Sequence, residues 1–299
     1  MIRIRLPMTK TGGDMSASEE DVSFYSGPGL RLAARVYHPT GPRERRAPGI
    51  VMCHGFGGLK EENPPGLARL LASVGYRVFT WDYRGFGGSE GVKYRMVPAE
   101  QIEDAATALA YFANRSDVDR DNVGLYGSSY GGGVISGVLV KDTAAKCAAM
   151  GVPAVGGRLG AIQQGGRSAM MPRARAALLK KTATGEIETI ERSEILTGDP
   201  VTDERYRGKS YPIAIESIIH IAEGMHPYDW APQIKIPVLC VTVATDQLGS
   251  PQAVKDFSAR LAGPKKLHVF PSGTHYSIYD ELLDEHFKVV CGWFDSYLK

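Results

Sequence analysis

The chain has 299 residues, 43% of them hydrophobic and 23% charged, with a formal net charge of +2. That balance fits one large globular domain with an elaboration and offers no basic surface for nucleic acid. No run of about 18 apolar residues occurs, so neither a transmembrane helix nor a membrane partner is expected.

The first twenty residues are polar and read as mobile, and the stretch from Met1 to Pro7 lacks the apolar core of a signal peptide. Cys53, Cys147, Cys240 and Cys291 lie in segments that read as core strands or the last helix, without metal-ligand or paired spacing. Reduced thiols and a cytoplasmic location are the expectation. Asp21 to His38 reads as a hairpin, Val22–Tyr25 and Leu30–Tyr37 around a Gly-Pro-Gly turn. Alternating polarity in its second arm fits a half-exposed sheet edge, and Arg43 to Arg46 a solvated loop.

After Pro48 strands and helices alternate, the signature of a doubly wound parallel sheet. Gly49–Cys53 is a strand with helix Leu67–Val74 behind it, and Tyr76–Trp81 is a strand before helix Val97–Ala113. Between them, Asp82-Tyr-Arg-Gly85 reads as a loop fixed by an ion pair through Asp82 or Arg84. The apolar run Val123–Tyr126 then turns through Gly127-Ser128-Ser129-Tyr130-Gly131 into Val134–Val140, a strand, a tight turn and a buried helix. That is the setting of a G-x-S-x-G nucleophile elbow, with Ser129 lifted above the sheet. The turn brings the residues two before and two after the serine together, so only glycine fits there. The plainer alternative is a glycine-rich turn with no chemistry.

Ala145–Val152 is a further strand, after which regularity lapses until strand Ile236–Val243, helix Ala253–Leu261, strand Lys266–Phe270 and helix Ile278–Leu298. Residues 153–232 hold helix-like stretches, Arg173–Thr182, Ile187–Leu196 and Ile213–Glu223, broken by Gly, Pro and charged loops. This is too much structure for a loop and too little for an independent domain. The expected architecture is therefore a core of residues 1–152 and 233–299 with a helical cap, 153–232, inserted between two late strands; a subunit interface is the alternative for the insertion. The basic cluster Arg173, Arg175, Lys180 and Lys181 reads as a solvated helix face.

A serine hydroxyl becomes a useful nucleophile only with a base in hydrogen-bond reach and an acid that orients the base. The chain order Ser, Asp, His, with each residue in a loop at a strand's carboxyl end, selects Asp246 after Ile236–Val243 and His275 after Lys266–Phe270. Asp229 and Asp280 are nearby carboxylates that follow no core strand closely. An oxyanion needs two N–H donors. Tyr130, directly after the nucleophile, offers one, and Phe56 in the loop His54-Gly-Phe-Gly-Gly58 offers the second, with His54 fixing the loop.

Four ordered blocks carry a family resemblance: Cys53–Lys60, Trp81–Gly91, Gly127–Gly131 and Gly273–Tyr276. Residues 48–152 and 236–299 resemble the α/β-hydrolase superfamily, in the capped branch related to dienelactone hydrolases and Xaa-Pro dipeptidyl-peptidase/cocaine-esterase catalytic domains. The resemblance implies an α/β-hydrolase fold and extends to fungal polyketide acyltransferases. Dienelactone hydrolases use a cysteine nucleophile, and Ser129 here argues against that activity. The expected function is hydrolysis of a carboxylic ester or related acyl bond through an acyl-enzyme, on a small-molecule acyl substrate, with no metal or organic cofactor. Acyl transfer to an alcohol or amine is the alternative, ahead of thioesterase, peptidase or non-catalytic binding roles; a homo-oligomer is left open without being indicated.

Overall fold

Near-continuous apolar strands can be satisfied only where both faces of a sheet are covered, and the chain builds such a sheet. The computed structural model describes residues 18–41, 45–62, 64–141, 144–156, 167–196 and 200–299. The expectations for residues 1–17, for Arg43 and Glu44, and for Thr197 to Asp199 in the polar part of the insertion lie outside them.

The strands are β1 (Glu19–Tyr25), β2 (Arg31–Tyr37), β3 (Ala47–Cys53), β4 (Arg77–Trp81), β5 (Val118–Ser128), β6 (Cys147–Gly151), β9 (Val238–Val243) and β10 (Lys265–Phe270); β7 and β8 belong to the insertion below. They form one eight-stranded sheet in the order β1-β2-β4-β3-β5-β6-β9-β10. β1 pairs antiparallel with β2, and β2 antiparallel with β4, while the other neighbours run parallel. The edge is β1; β2 lies inside it against β4, so the alternation of β2 marks a strand one place in from the edge.

Helices α1 (Pro64–Ser73) and α10 (Leu283–Leu298) cover one face, and α2 (Pro98–Ala113), α3 (Tyr130–Leu139) and α9 (Pro251–Arg260) the other. Their starts follow local rules. Pro98 and Pro251 open α2 and α9 where no amide hydrogen is needed, and Ser250 caps α9 by accepting from the Ala253 amide at 3.2 Å. The thiols of Cys53, Cys147 and Cys240 are buried in these two cores, Cys291 is half-buried, and all four are unpaired.

Between β6 and β9 the described chain forms α4 (Arg167–Thr184), β7 (Thr189–Glu191), α5 (Arg192–Ile195), α6 (Pro200–Tyr206), β8 (Pro212–Ala214), α7 (Ser217–Gly224) and α8 (Pro227–Trp230). The stretch Ile187–Leu196 is thus a strand followed by one helical turn, because β7 pairs with β8 and Glu191 and Glu194 form a capping box around α5. Ile213, Ile215, Ile218, Ile219 and Ile221 are all buried. On α4, Arg173 pairs with Glu188, Lys180 with Glu186 and Lys181 with Glu216, an ion-paired helix face. Among the described residues no helix is long and apolar enough to cross a membrane.

One buried group makes the fold sensitive to acid. His286 on α10 is fully buried, its Nε2 bonded to the Tyr126 hydroxyl at 2.9 Å, and Nδ1 has no partner among the described residues. Burial lowers its pKa from the ordinary 6.5 to about 3. The unfolded chain therefore binds the extra proton first, and stability falls as pH drops from 6.5 toward about 3. At pH 5 the contribution is about 2 kcal/mol. Urea unfolding at pH 7.5 and 5 should show this loss in the wild type and a smaller one in His286→Gln; equal losses in both would remove His286 as the cause.

Candidate active site

Ser129 stands between the end of β5 and the first residue of α3, at φ 51° and ψ −120°. A non-glycine residue there is strained, and the surroundings hold it by three backbone hydrogen bonds. Its amide donates to Gly151 O at 2.9 Å, and its carbonyl accepts from Gly132 N at 2.9 Å and Ala154 N at 2.8 Å. A Cβ on Gly127 would lie 2.5 Å from Gly131 O, and one on Gly131 would overlap the Cys53 carbonyl. Both glycines are steric requirements of the turn. Val152, just past the carboxyl end of neighbouring β6, also has positive φ, 41°, so the serine and the adjacent strand end are both strained.

The loops after β9 and β10 bring the other two groups to Ser129. His275 Nε2 lies 2.9 Å from Ser129 Oγ, and His275 Nδ1 lies 2.7 Å from Asp246 Oδ2. Asp246 Oδ1 accepts from the amides of Leu248 at 2.9 Å and Gly249 at 2.7 Å. Burial alone would raise the Asp246 pKa, but the adjoining His275 and the two amides outweigh it and hold the carboxyl below the usual carboxylate range. An ionised carboxylate only accepts, so Nδ1 carries the imidazole proton and Nε2 turns its lone pair to the serine hydroxyl. The two loops are stitched together by Thr245, whose Oγ1 donates to Gly273 O at 2.6 Å and accepts from Gly273 N at 3.0 Å. The competing carboxylates lie elsewhere: Asp280 pairs with Arg205 at 2.6 Å, and Asp229 sits in α8.

Gly55, at the start of the loop after β3, faces the serine; a Cβ on it would be 3.6 Å from Ser129 Cβ. Neither the Phe56 nor the Tyr130 amide donates to an acceptor among the described residues. Tyr130 N–H also stands at the N-terminus of α3, the positive end of the helix. His54 is buried, its Nδ1 donating to Gly55 O at 3.0 Å, while the Tyr83 hydroxyl donates to His54 O at 3.1 Å. Behind the loop Lys60 pairs with Asp82 at 3.0 Å, and Arg84 with Asp104, so both Asp82 and Arg84 are in ion pairs.

A cavity of about 290 Å³ opens over Ser129 and His275. Its walls include Val152, Leu248, Tyr276 and Tyr279 from the sheet side and Val155, Ile195, Leu196, Tyr206, Ile218 and Ile221 from the insertion. The charged lining residues Glu62 and Arg192 are paired with each other at 3.0 Å. Sequence reasoning passes over this pair. Arg192 reads as one residue of the helix-like stretch Ile187–Leu196, and no local pattern joins it to Glu62, 130 residues away. Among the described residues no group of three His, Cys, Asp or Glu side chains is placed to hold a metal ion.

Residues 45–281 match the family described as serine aminopeptidase, S33. The chain is 28% identical over 280 residues to an uncharacterized 31.7 kDa Escherichia coli protein of the traX-finO intergenic region, covering 90% of this chain and 96% of that one. It is 24% identical over 295 residues to thiohydrolase aneE of Aspergillus aculeatus, covering 91% and 90% respectively. The solved α/β hydrolase GrgF from Penicillium sp. sh18 superposes with a TM-score of 0.81 at 17% identity, over 94% of this chain and 99% of that one, a likeness of fold.

The Asp246–His275 contact has no room beside it. A Cβ on Gly249 would lie 2.6 Å from Asp246 Oδ2 and 3.3 Å from His275 Nδ1. Gly249→Ala should therefore displace the carboxylate while leaving the fold intact. The Nδ1 proton should give a far-downfield NMR resonance in the wild type that moves upfield or vanishes in the variant, with circular dichroism unchanged. An unmoved resonance would show that the contact tolerates the methyl group.

Proposed function

This chain belongs to the serine aminopeptidase S33 family of α/β-hydrolases, and from that premise we propose that it hydrolyses a carboxylic ester or related acyl bond through an acyl-enzyme on Ser129. The observation that carries the reading is the continuous hydrogen-bonded chain Ser129–His275–Asp246 at the mouth of a largely apolar cavity.

Ser129 Oγ attacks the acyl carbonyl carbon while His275 Nε2 takes its proton, and Asp246 stabilises the imidazolium that forms. The carbonyl oxygen becomes an oxyanion and accepts from the amides of Tyr130 and Phe56. The bond to the leaving group breaks as His275 returns the proton to it, leaving the acyl group on Ser129. Water then attacks the acyl-serine, with His275 again as base, and the acid leaves. No step calls on a metal or an organic cofactor.

The lining favours neutral acyl groups over the free amino terminus that an aminopeptidase must hold. An α-ammonium needs a free carboxylate, and the carboxylate among the described lining residues, Glu62, is engaged by Arg192. Ile195, Leu196, Ile218 and Ile221 give the insertion the role of a cap that selects the acyl group. A thioester presents the same acyl carbonyl, and the similarity to a thiohydrolase supports including thioesters among the substrates tested. Transfer to an alcohol or amine uses the same acyl-serine. Water is the preferred acceptor because the outer residues of α6, Val201, Asp203 and Glu204, are exposed beside the cavity-lining Tyr206.

A chain-length series of activated esters and thioesters tests the assignment. Ser129→Ala or His275→Ala should lower kcat by a factor on the order of 10⁴–10⁶, and Asp246→Asn by about 10⁴ or less. Double variants should lose little beyond the worse single one, since the three groups act as a unit. Turnover that survives Ser129→Ala would remove the serine mechanism.

A further inference from the structure

Arg192, the first residue of α5, is 1% exposed. Its Nη1 donates to Gly57 O at 2.9 Å, Phe56 O at 3.4 Å and Glu62 Oε2 at 3.1 Å, and its Nη2 donates to Glu62 Oε1 at 3.0 Å. The guanidinium carbon lies 3.9 Å from the ring centre of Tyr211 and 4.2 Å from that of Tyr206. Removing a guanidinium from water is costly unless the protein replaces its hydrogen bonds and charge partner. The replacement here is specific: one carboxylate, two aromatic faces and two carbonyls of the loop after β3.

Those carbonyls matter because of what their neighbouring peptide must do. The peptide joining Gly55 and Phe56 is planar and trans, so its N–H points opposite to its C=O. Gly55 O is pinned by His54 Nδ1 at 3.0 Å and Gly58 N at 3.2 Å. Phe56 N–H is therefore aimed away from that anchor, and the next two carbonyls are held from the insertion side by Arg192. Gly57 has φ 56°, and a Cβ there would lie 3.4 Å from Arg192 Cδ, so the arginine packs directly on the turn.

We infer that Arg192 is a positioning residue that fixes the Phe56 amide for the oxyanion, so that the insertion completes the donor pair as well as shaping the cavity. This rests on the acyl-enzyme reading above, in which Phe56 N–H stabilises the tetrahedral intermediate. A residue that only docked the insertion would leave the chemistry of the docked enzyme unchanged. A residue that aims a transition-state donor lowers kcat more than it raises KM.

The test uses the full chain in three forms, wild type, Arg192→Met and Arg192→Lys, with two readouts. Amide hydrogen exchange should rise about tenfold or more in residues 54–60 of Arg192→Met, while residues 123–140 keep wild-type protection. Per folded enzyme, kcat on an activated ester should fall about 10- to 100-fold, less than or near the loss of a whole oxyanion donor, with KM within about threefold. Arg192→Lys should recover only a small part, because an ammonium replaces neither the fork to Glu62 nor the stacking. Unchanged exchange at 54–60, or a rise spread evenly over the chain with kcat per folded enzyme intact, would overturn the inference. A wild type without Ser129-dependent turnover would instead strike the hydrolase reading, and the exchange measurement would still decide whether Arg192 holds the loop.

Discussion

The backbone of Ser129, held at φ 51° and ψ −120°, is the constraint on which the rest of the site depends. A serine does not adopt that conformation without help, at a cost of roughly 1–3 kcal/mol. The help comes from the end of β6, the segment just after it and the helix the serine opens: its amide donates to Gly151 O, and its carbonyl accepts from Gly132 N and Ala154 N. Gly127 and Gly131 are absent of side chains where the two limbs of the turn meet. The result is a hydroxyl presented at the carboxyl edge of the sheet, where the loops of β3, β9 and β10 also end.

Around that fixed point the chain uses short ties between loops. Thr245 binds Gly273 with both its donor and its acceptor capacity, so the loops that carry Asp246 and His275 are tied to each other. The loop with Phe56 is tied on one side by His54 and Gly58 and on the other by Arg192. Asp246 is held ionised despite burial, which keeps the imidazole in the tautomer that faces the serine. The proposed nucleophilic catalysis would demand such positioning, because a displacement of about 1 Å can cost two orders of magnitude.

Much of this was legible in the residues, and for identifiable reasons. Gly127 and Gly131 announce the elbow because steric exclusion leaves a mark at fixed spacing. Asp246 and His275 could be picked out because parallel strands place their following loops at one edge, and the structure brings both to Ser129. The limits are those of local pattern. α3 begins at Tyr130 and not at Val134, since the glycines that weaken a helix in isolation let it pack closely here, Gly131 against the Cys53 carbonyl and Gly132 and Gly133 against Pro153, Ala154 and Met225. The place of β2 inside the sheet depends on pairing with β4, more than forty residues away by any count of its register. The Arg192–Glu62 pair spans 130 residues and joins a stretch read as helix-like, Ile187–Leu196, to the loop after β3. Long-range charge pairing leaves no periodic trace in a single sequence.

The central claim is that Ser129 carries the acyl group during turnover. Mixing the enzyme with a slowly deacylating ester, quenching in acid and mapping peptides by mass spectrometry tests it directly. One acyl group per folded chain is expected on the peptide containing Ser129, disappearing in water at the steady-state turnover rate. Turnover of that ester with no adduct on Ser129, or with the acyl group on another residue, would contradict it.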